Sequence, residues 1–189
     1  LAKHPALDIV VNNAGGTHDH AKFMELDDAT WKSAWELNFM SVVRVTRETM
    51  PLLLKSKYPR VINISSVPGK QPGFFNPHYG AAKTAVNYLS KYLSTSYAPD
   101  GVLINSICPS SVSAGVWDDH IEDKAKRNNI SVEEARKMME EEVKAKTPLG
   151  TIGEPEDVAE LVAFLASDRA KFITGTCIQV DGGVIKSIF

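Results

Sequence analysis

Short runs rich in β-branched residues alternate along the chain with longer stretches in which apolar side chains return every three or four positions. The short runs fall at Leu7 to Asn12, Arg60 to Ser65, Leu103 to Ile107 and Cys177 to Val180, each flanked by Gly, Pro, Asn, Asp or Ser, and they read as strands. A helix is predicted from Asp28 to Ser56, opened by Asp27 or Asp28 as cap, with Trp31, Trp35, Asn38, Val42 and Val45 as its inner stripe. A second helix starts with Asn76 as N-cap and Pro77 in the first turn, and carries Tyr79, Lys83, Val86 and Leu89. A third opens at Glu154-Pro155 and repeats Val158, Leu161, Val162 and Leu165. Alternation of this kind builds a parallel sheet covered by helices, an α/β fold. Ser110 to Thr147 is polar, holds a capping box at Ser131 and Glu134, and reads as one or two lid helices.

The 189 residues, 43% hydrophobic and 23% charged, fit a single globular domain over 1–189, with 110–147 as a substrate lid. A net charge of -2 leaves no basic surplus for phosphates, so nucleic acid is not an expected partner. No apolar run approaches the roughly 18–20 residues that span a bilayer, and no signal-peptide layout is present. The expectation is a cytoplasmic protein with no membrane partner. Cys108 and Cys177 each sit in an apolar run, where a free thiol behaves as a small hydrophobe.

Candidate chemistry centres on Tyr79 and Lys83. Four residues apart on a helix, the phenol and the ammonium share one face. A phenol titrates near about 10, and a nearby cation favours its phenolate, so the pair suits proton exchange with a carbonyl or alcohol oxygen. Gly80, Ala81, Ala82 and Ala85 allow close packing of that helix. Taken alone, such a pair is more often structural. Ser65 and Ser66 end a buried strand at the end where ligands sit in parallel sheets; Ser66 either steadies a substrate oxygen or satisfies turn backbone. Asn38 lies in an apolar stripe, either as a functional amide or as a satisfied core asparagine. Asn12-Asn13-Ala14-Gly15 follows the first strand, and Gly15 and Gly16 permit close backbone approach to a ligand.

Jointly, the NNAG at Asn12 to Gly15, Asn38, the INISS run ending at Ser66, Tyr79 with Lys83, and Val180-Asp-Gly-Gly183 make the whole chain resemble the short-chain dehydrogenase/reductase family. The resemblance implies a Rossmann-type doubly wound parallel sheet with helices on both faces. It implies an NAD(P)-dependent oxidoreductase that interconverts a secondary alcohol and a ketone, with reduction of 3-oxoacyl thioesters or similar carbonyls among the candidate reactions. Asn38, Ser66, Tyr79 and Lys83 would form the catalytic tetrad: Tyr79 the acid/base, Ser66 the clamp on the substrate oxygen, Lys83 the group lowering the phenol pKa and binding ribose, Asn38 the anchor of a proton-relay water. Asn13, Ala14 and Gly15 would line the adenosine end of the NAD or NADP site, and Pro109 and Val112 would lie by the nicotinamide. Phe74, Phe75 and Trp117 would border a pocket for a small-molecule substrate, alongside the loop of His18 and His20. A homodimer or homotetramer, joined through the helices from Asp28 and Asn76, is implied as well.

Two departures change the picture. Cys108-Pro109-Ser110 lacks the Gly that the family places after this proline, and Ala114 stands where a threonine would bond the nicotinamide amide, leaving Ser111 or Ser113 as substitutes. The family also opens with a strand, a Gly-rich phosphate turn and a helix, and residues 1 to 16 contain no such segment. Because Leu1 is not Met and the first strand is apolar on both faces, the expectation is that N-terminal strands are missing from this chain and that the natural protein has them. The rival expectation is a catalytically inert, truncated module used for binding or oligomerisation. His18 and His20, two apart with no further ligand nearby, make a poor metal set, so no metal is expected. His78 reads as structural, and the charged run from Asp118 to Lys146 as a solvated helix face.

Overall fold

The computed structural model describes residues 5–17, 21–114 and 117–188. Four strands, β1 (Ile9–Asn12), β2 (Arg60–Ile64), β3 (Leu103–Pro109) and β4 (Cys177–Val180), form one parallel sheet in the order β1-β2-β3-β4. Helices α1 (Asp28–Trp35), α2 (Ser41–Leu53) and α3 (Pro77–Tyr97) cover one face. Helix α6 (Pro155–Ala166) packs on the other, while α4 (Trp117–Asn128) and α5 (Val132–Lys146) pair with each other beyond the strand ends.

Side chains alternate between two cores as a pleated sheet requires. Val10, Val61 and Ile104 meet Leu53 and Met50 of α2. Ile62, Ile107 and Ile178 meet Val158, Leu161, Val162 and Leu165 of α6, the stripe expected from the sequence. Fully burying a side chain such as Leu53, Ile62 or Ile107 contributes about 1.5–3 kcal/mol. On the α6 side of β1, Ile9 and Val11 each remain 42% exposed.

One row breaks the apolar pattern. Asn12 pairs with Asn63, Asn63 with Ser106 and Ser106 with Cys177, so a polar row crosses all four strands on the α2–α3 face. Asn12 Nδ2 donates to Asn63 Oδ1 (2.7 Å) and Thr46 Oγ1 (3.1 Å), and Asn63 Nδ2 donates to Ser90 Oγ (2.8 Å). Buried amides need such partners, and α2 and α3 supply them.

Three expectations require correction. The helix from Asp28 is not uniform: a π-helical turn at Glu36–Met40 joins α1 to α2, and regular helix stops at Leu53 rather than Ser56. The wide turn shifts the helical phase, so the buried stripe is Ala34, Asn38, Val42, Thr46, Met50 and Leu53, while Trp35 (40%) and Val45 (44%) face outward. Asn76 does not cap α3 with its side chain; it adopts a left-handed conformation, and its Oδ1 accepts from the Ala21 amide. Asp27 does cap α1, accepting from Thr30 N at 2.8 Å, and the Ser131–Glu134 capping box opens α5.

Candidate active site

The C-terminal ends of β1, β2 and β3 open into a cavity of about 1200 Å³, walled by α3, α4, α5 and α6. That exceeds the roughly 300–1,000 Å³ of an ordinary small-ligand pocket. Tyr79 and Lys83 enter it from the first turns of α3, and Ser66 from the end of β2. Helix α3 lies close to the turn Val67–Gly69 because small residues meet there: a Cβ on Gly80 would sit 3.2 Å from Pro68 O, and one on Gly69 2.9 Å from the Lys83 backbone.

Lys83, Ser65 and Asn38 are each tied to backbone groups. Lys83, only 3% exposed, donates from Nζ to Ile64 O at 2.9 Å, and Ser65 Oγ donates to Lys83 O at 3.1 Å. The Ser66 hydroxyl lies near enough to the Tyr79 phenol to favour its ionised form, and Lys83 Nζ stands 5.6 Å from the Tyr79 ring centre. Asn38 is fully buried in the π-helical turn; its Nδ2 donates to Gly16 O (2.9 Å) and Ala34 O (3.0 Å), and its Oδ1 accepts from Gly16 N (2.9 Å). The loop after β1 is thereby clamped at the cavity floor. Gly15 lies against both groups: a Cβ there would be 2.7 Å from Asn38 Oδ1 and 3.0 Å from Lys83 Nζ.

The electrostatics differ from the expectation that Lys83 lowers the phenol. Burial pushes the Tyr79 phenol above its usual value, opposed by the Ser66 hydrogen bond and reinforced by negative charge on Cys108. Burial likewise brings the Lys83 ammonium down to about 8, against the same Cys108 charge. Desolvation of both groups dominates in the open cavity.

The cavity wall contains Asn13, Gly15, Ser66, Tyr79, Lys83, Pro109, Val112 and Trp117, whereas Asn38 stands behind it. Ala14 and Phe74 are not part of it. Phe74 is 95% exposed, and its neighbour Phe75 takes the wall position instead. Of the two serines that might replace the missing threonine, Ser111 lines the cavity, while Ser113 donates its backbone N–H to Gly153 O. His78 is buried beside Trp31, with Nε2 3.5 Å from Thr17 Oγ1, as a structural residue would be. His18 and His20 lie outside the described residues, among which no cluster of three or more His, Cys, Asp or Glu is placed to hold a metal. His120 of α4 is a wall residue that sequence reasoning missed: its Nε2 is 3.0 Å from Thr17 O, tying α4 to the β1 loop. No local pattern marks it, since the contact spans 103 residues.

Comparison with known proteins places this geometry among relatives. The family described as enoyl-(acyl carrier protein) reductase matches residues 1–185. The 3-oxoacyl-[acyl-carrier-protein] reductase FabG of Rickettsia felis is 33% identical over 185 residues, 98% of this chain and 70% of that protein. An oxidoreductase of the short-chain dehydrogenase/reductase family from Burkholderia thailandensis superposes with a TM-score of 0.81 at 28% identity, over 98% of this chain and 67% of that one. L-sorbose reductase from Gluconobacter frateurii, solved with NADPH and L-sorbose, gives 0.88 at 30% identity, over 97% and 68%.

Proposed function

Because the chain belongs to the short-chain dehydrogenase/reductase family, a family of NAD(P)-dependent oxidoreductases, we propose that its Tyr79, Lys83 and Ser66 reduce a ketone to a secondary alcohol, with Asn38 as a positioning residue. The observation that carries this reading is the meeting of the Ser66 hydroxyl, the Tyr79 phenol and the buried Lys83 ammonium on one cavity wall. Ser66 and Tyr79 both donate to the carbonyl oxygen, Ser66 orienting it and Tyr79 passing it the proton as the carbon is reduced. A phenol raised by burial stays protonated, which suits the reductive direction. Lys83, charged at neutral pH with its pKa near 8, stabilises the phenolate left behind.

The nicotinamide cofactor supplies the hydride when bound. The residues fit it: Gly15 and Gly16 line the cavity with backbone alone, and Lys83 brings three donor hydrogens, of which Ile64 O takes one. In this reading Lys83 holds the ribose, Asn13 and Gly15 the adenosine end, and Pro109, Ser111 and Val112 the nicotinamide. Phe75, Trp117, Val143 and Val184 add apolar surface to the cavity wall. That wall, and the FabG relative, favour a 3-oxoacyl thioester as substrate, with α4 and α5 as its lid. Exposed Trp35, Leu37 and Val45 beside Tyr88 (75%) and Tyr92 (60%) of α3 support a homodimer or homotetramer. Two unbridged cysteines support a reducing, cytoplasmic setting.

The test is oxidation of NADPH or NADH by an acetoacetyl thioester, followed by absorbance. Tyr79→Phe should lower turnover roughly 10²–10⁴-fold with circular dichroism unchanged. Undiminished turnover in that variant overturns the assignment. Failure of both cofactors to bind the wild type in a fluorescence titration would instead favour an inert oligomerising module.

A further inference from the structure

Cys108 and Cys177 are 69 residues apart in the chain, yet their sulfurs are 3.0 Å apart beneath the cavity, and both thiols are free. Cys177 is partly exposed and lies opposite Ser106, on the sheet face that also bears Cys108. Cys108 is fully buried, with Asn87 Nδ2 and Oδ1 each 3.8 Å from its sulfur, and it directly precedes the wall residue Pro109. We propose that Cys108 and Cys177 are an oxidisable thiol pair that a peroxide converts to an intramolecular disulfide, changing the reductase site above it.

The chemistry balances without any group beyond the peroxide. Hydrogen bonding between the two sulfurs favours a single shared proton, holding the Cys108 thiol below its ordinary range and that of Cys177 above it. Cys177 holds the shared proton at rest; its transfer to Cys108 across the 3.0 Å contact runs uphill and leaves a thiolate on the partly exposed Cys177, where a peroxide can reach it. That sulfur attacks one peroxide oxygen, the O–O bond breaks, and Cys177 becomes a sulfenic acid as hydroxide departs and takes a proton from solvent to become water. Cys108 then attacks the Cys177 sulfur, forming the S–S bond and expelling a second water. The thiolate, the thiol, one peroxide and one solvent proton give one disulfide and two waters; the two sulfurs lose two electrons and the peroxide gains them.

The site feels the change in two ways. Bond formation draws the sulfurs from 3.0 Å contact to about 2.05 Å. Because Cys177 faces Ser106 rather than Cys108, closure pulls the end of β3 at Pro109 toward β4. It also removes the Cys108 negative charge that acts on both Tyr79 and Lys83.

The experiment treats the reduced natural protein with hydrogen peroxide, alkylates the remaining thiols and maps peptides by mass spectrometry without reductant. A single cross-link joining the Cys108 and Cys177 peptides, lost on adding dithiothreitol, is expected. Wild-type turnover should fall roughly tenfold or more and recover with dithiothreitol, whereas Cys177→Ala should keep its turnover through the same treatment. Full alkylation of both cysteines after peroxide, or a sulfinic acid on Cys177 with no cross-link, overturns the proposal. Equal peroxide losses in Cys177→Ala and wild type overturn the link to the site. The thiol map needs neither substrate nor cofactor, so its outcome is independent of the proposed reaction.

Discussion

Replacing Gly15 by alanine probes the point at which the cavity floor meets both Asn38 and Lys83. The added methyl would sit 2.7 Å from Asn38 Oδ1 and 3.0 Å from Lys83 Nζ, and at the shorter distance something must move. Neither neighbour is a loose surface end, since Asn38 is fully buried and Lys83 only 3% exposed. If Asn38 yields, its two 2.9 Å bonds to the Gly16 amide and carbonyl are lost. At about 1 kcal/mol for each bond, plus residual crowding, the expected destabilisation is about 2–3 kcal/mol. For a domain of this size, roughly 2–4 °C per kcal/mol makes that a fall in Tm of about 4–12 °C. If Lys83 yields instead, it moves relative to Tyr79, and a displacement near 1 Å costs on the order of 10²-fold in rate. Differential scanning fluorimetry and kcat/KM for ketone reduction read the two outcomes. Gly73→Ala is the control, because its nearest neighbour, Phe75 O, is 3.9 Å away. If Gly15→Ala matched Gly73→Ala within about twofold in kcat/KM and about 1 °C in Tm, the floor would not be clamped as described and the reasoning would fail.

The Lys83 ammonium, brought down to about 8 by burial, is charged below that pH and loses its charge as pH rises through it. Cofactor affinity that relies on this cation should therefore hold at pH 7 and weaken above about 8, by up to about tenfold per pH unit. Fluorescence titration across that range should show the slope in wild type and none in Lys83→Met; a flat wild-type profile would remove Lys83 from the binding set. Asn12→Ala deletes the donor that serves both Thr46 Oγ1 and Asn63 Oδ1, two buried acceptors. It should cost about 2–4 kcal/mol, seen as a lower urea midpoint at unchanged m, and an unmoved midpoint would show that the polar row carries no weight.

What was legible in the chain divides along physical lines. Positions four apart on a helix share a face whatever the fold, so Tyr79 and Lys83 could be paired from spacing, and the strand runs announced a parallel sheet by their apolar content. The π-helical turn at Asn38 has no signature in the chain; a constant 3.6-residue period puts the stripe on Trp35 and Val45, whereas the wide turn puts it on Ala34 and Thr46. The row that joins Asn63 and Ser106 to Asn12 and Cys177 has no local signature, since strand register is decided between segments tens of residues apart. The two cysteines read as separate hydrophobes for the same reason. The upward shift of the Tyr79 phenol was hidden more deeply. Spacing shows which charge is near, but desolvation depends on how much water the assembled walls exclude, and here it is the largest cause of the shift, opposed by Ser66. A site residue's identity is thus written locally, whereas its proton affinity is a property of the closed sheet and the helices around it. The same distinction explains why Phe75 rather than Phe74 reached the cavity wall: adjacent positions look alike until the loop between β2 and α3 is placed.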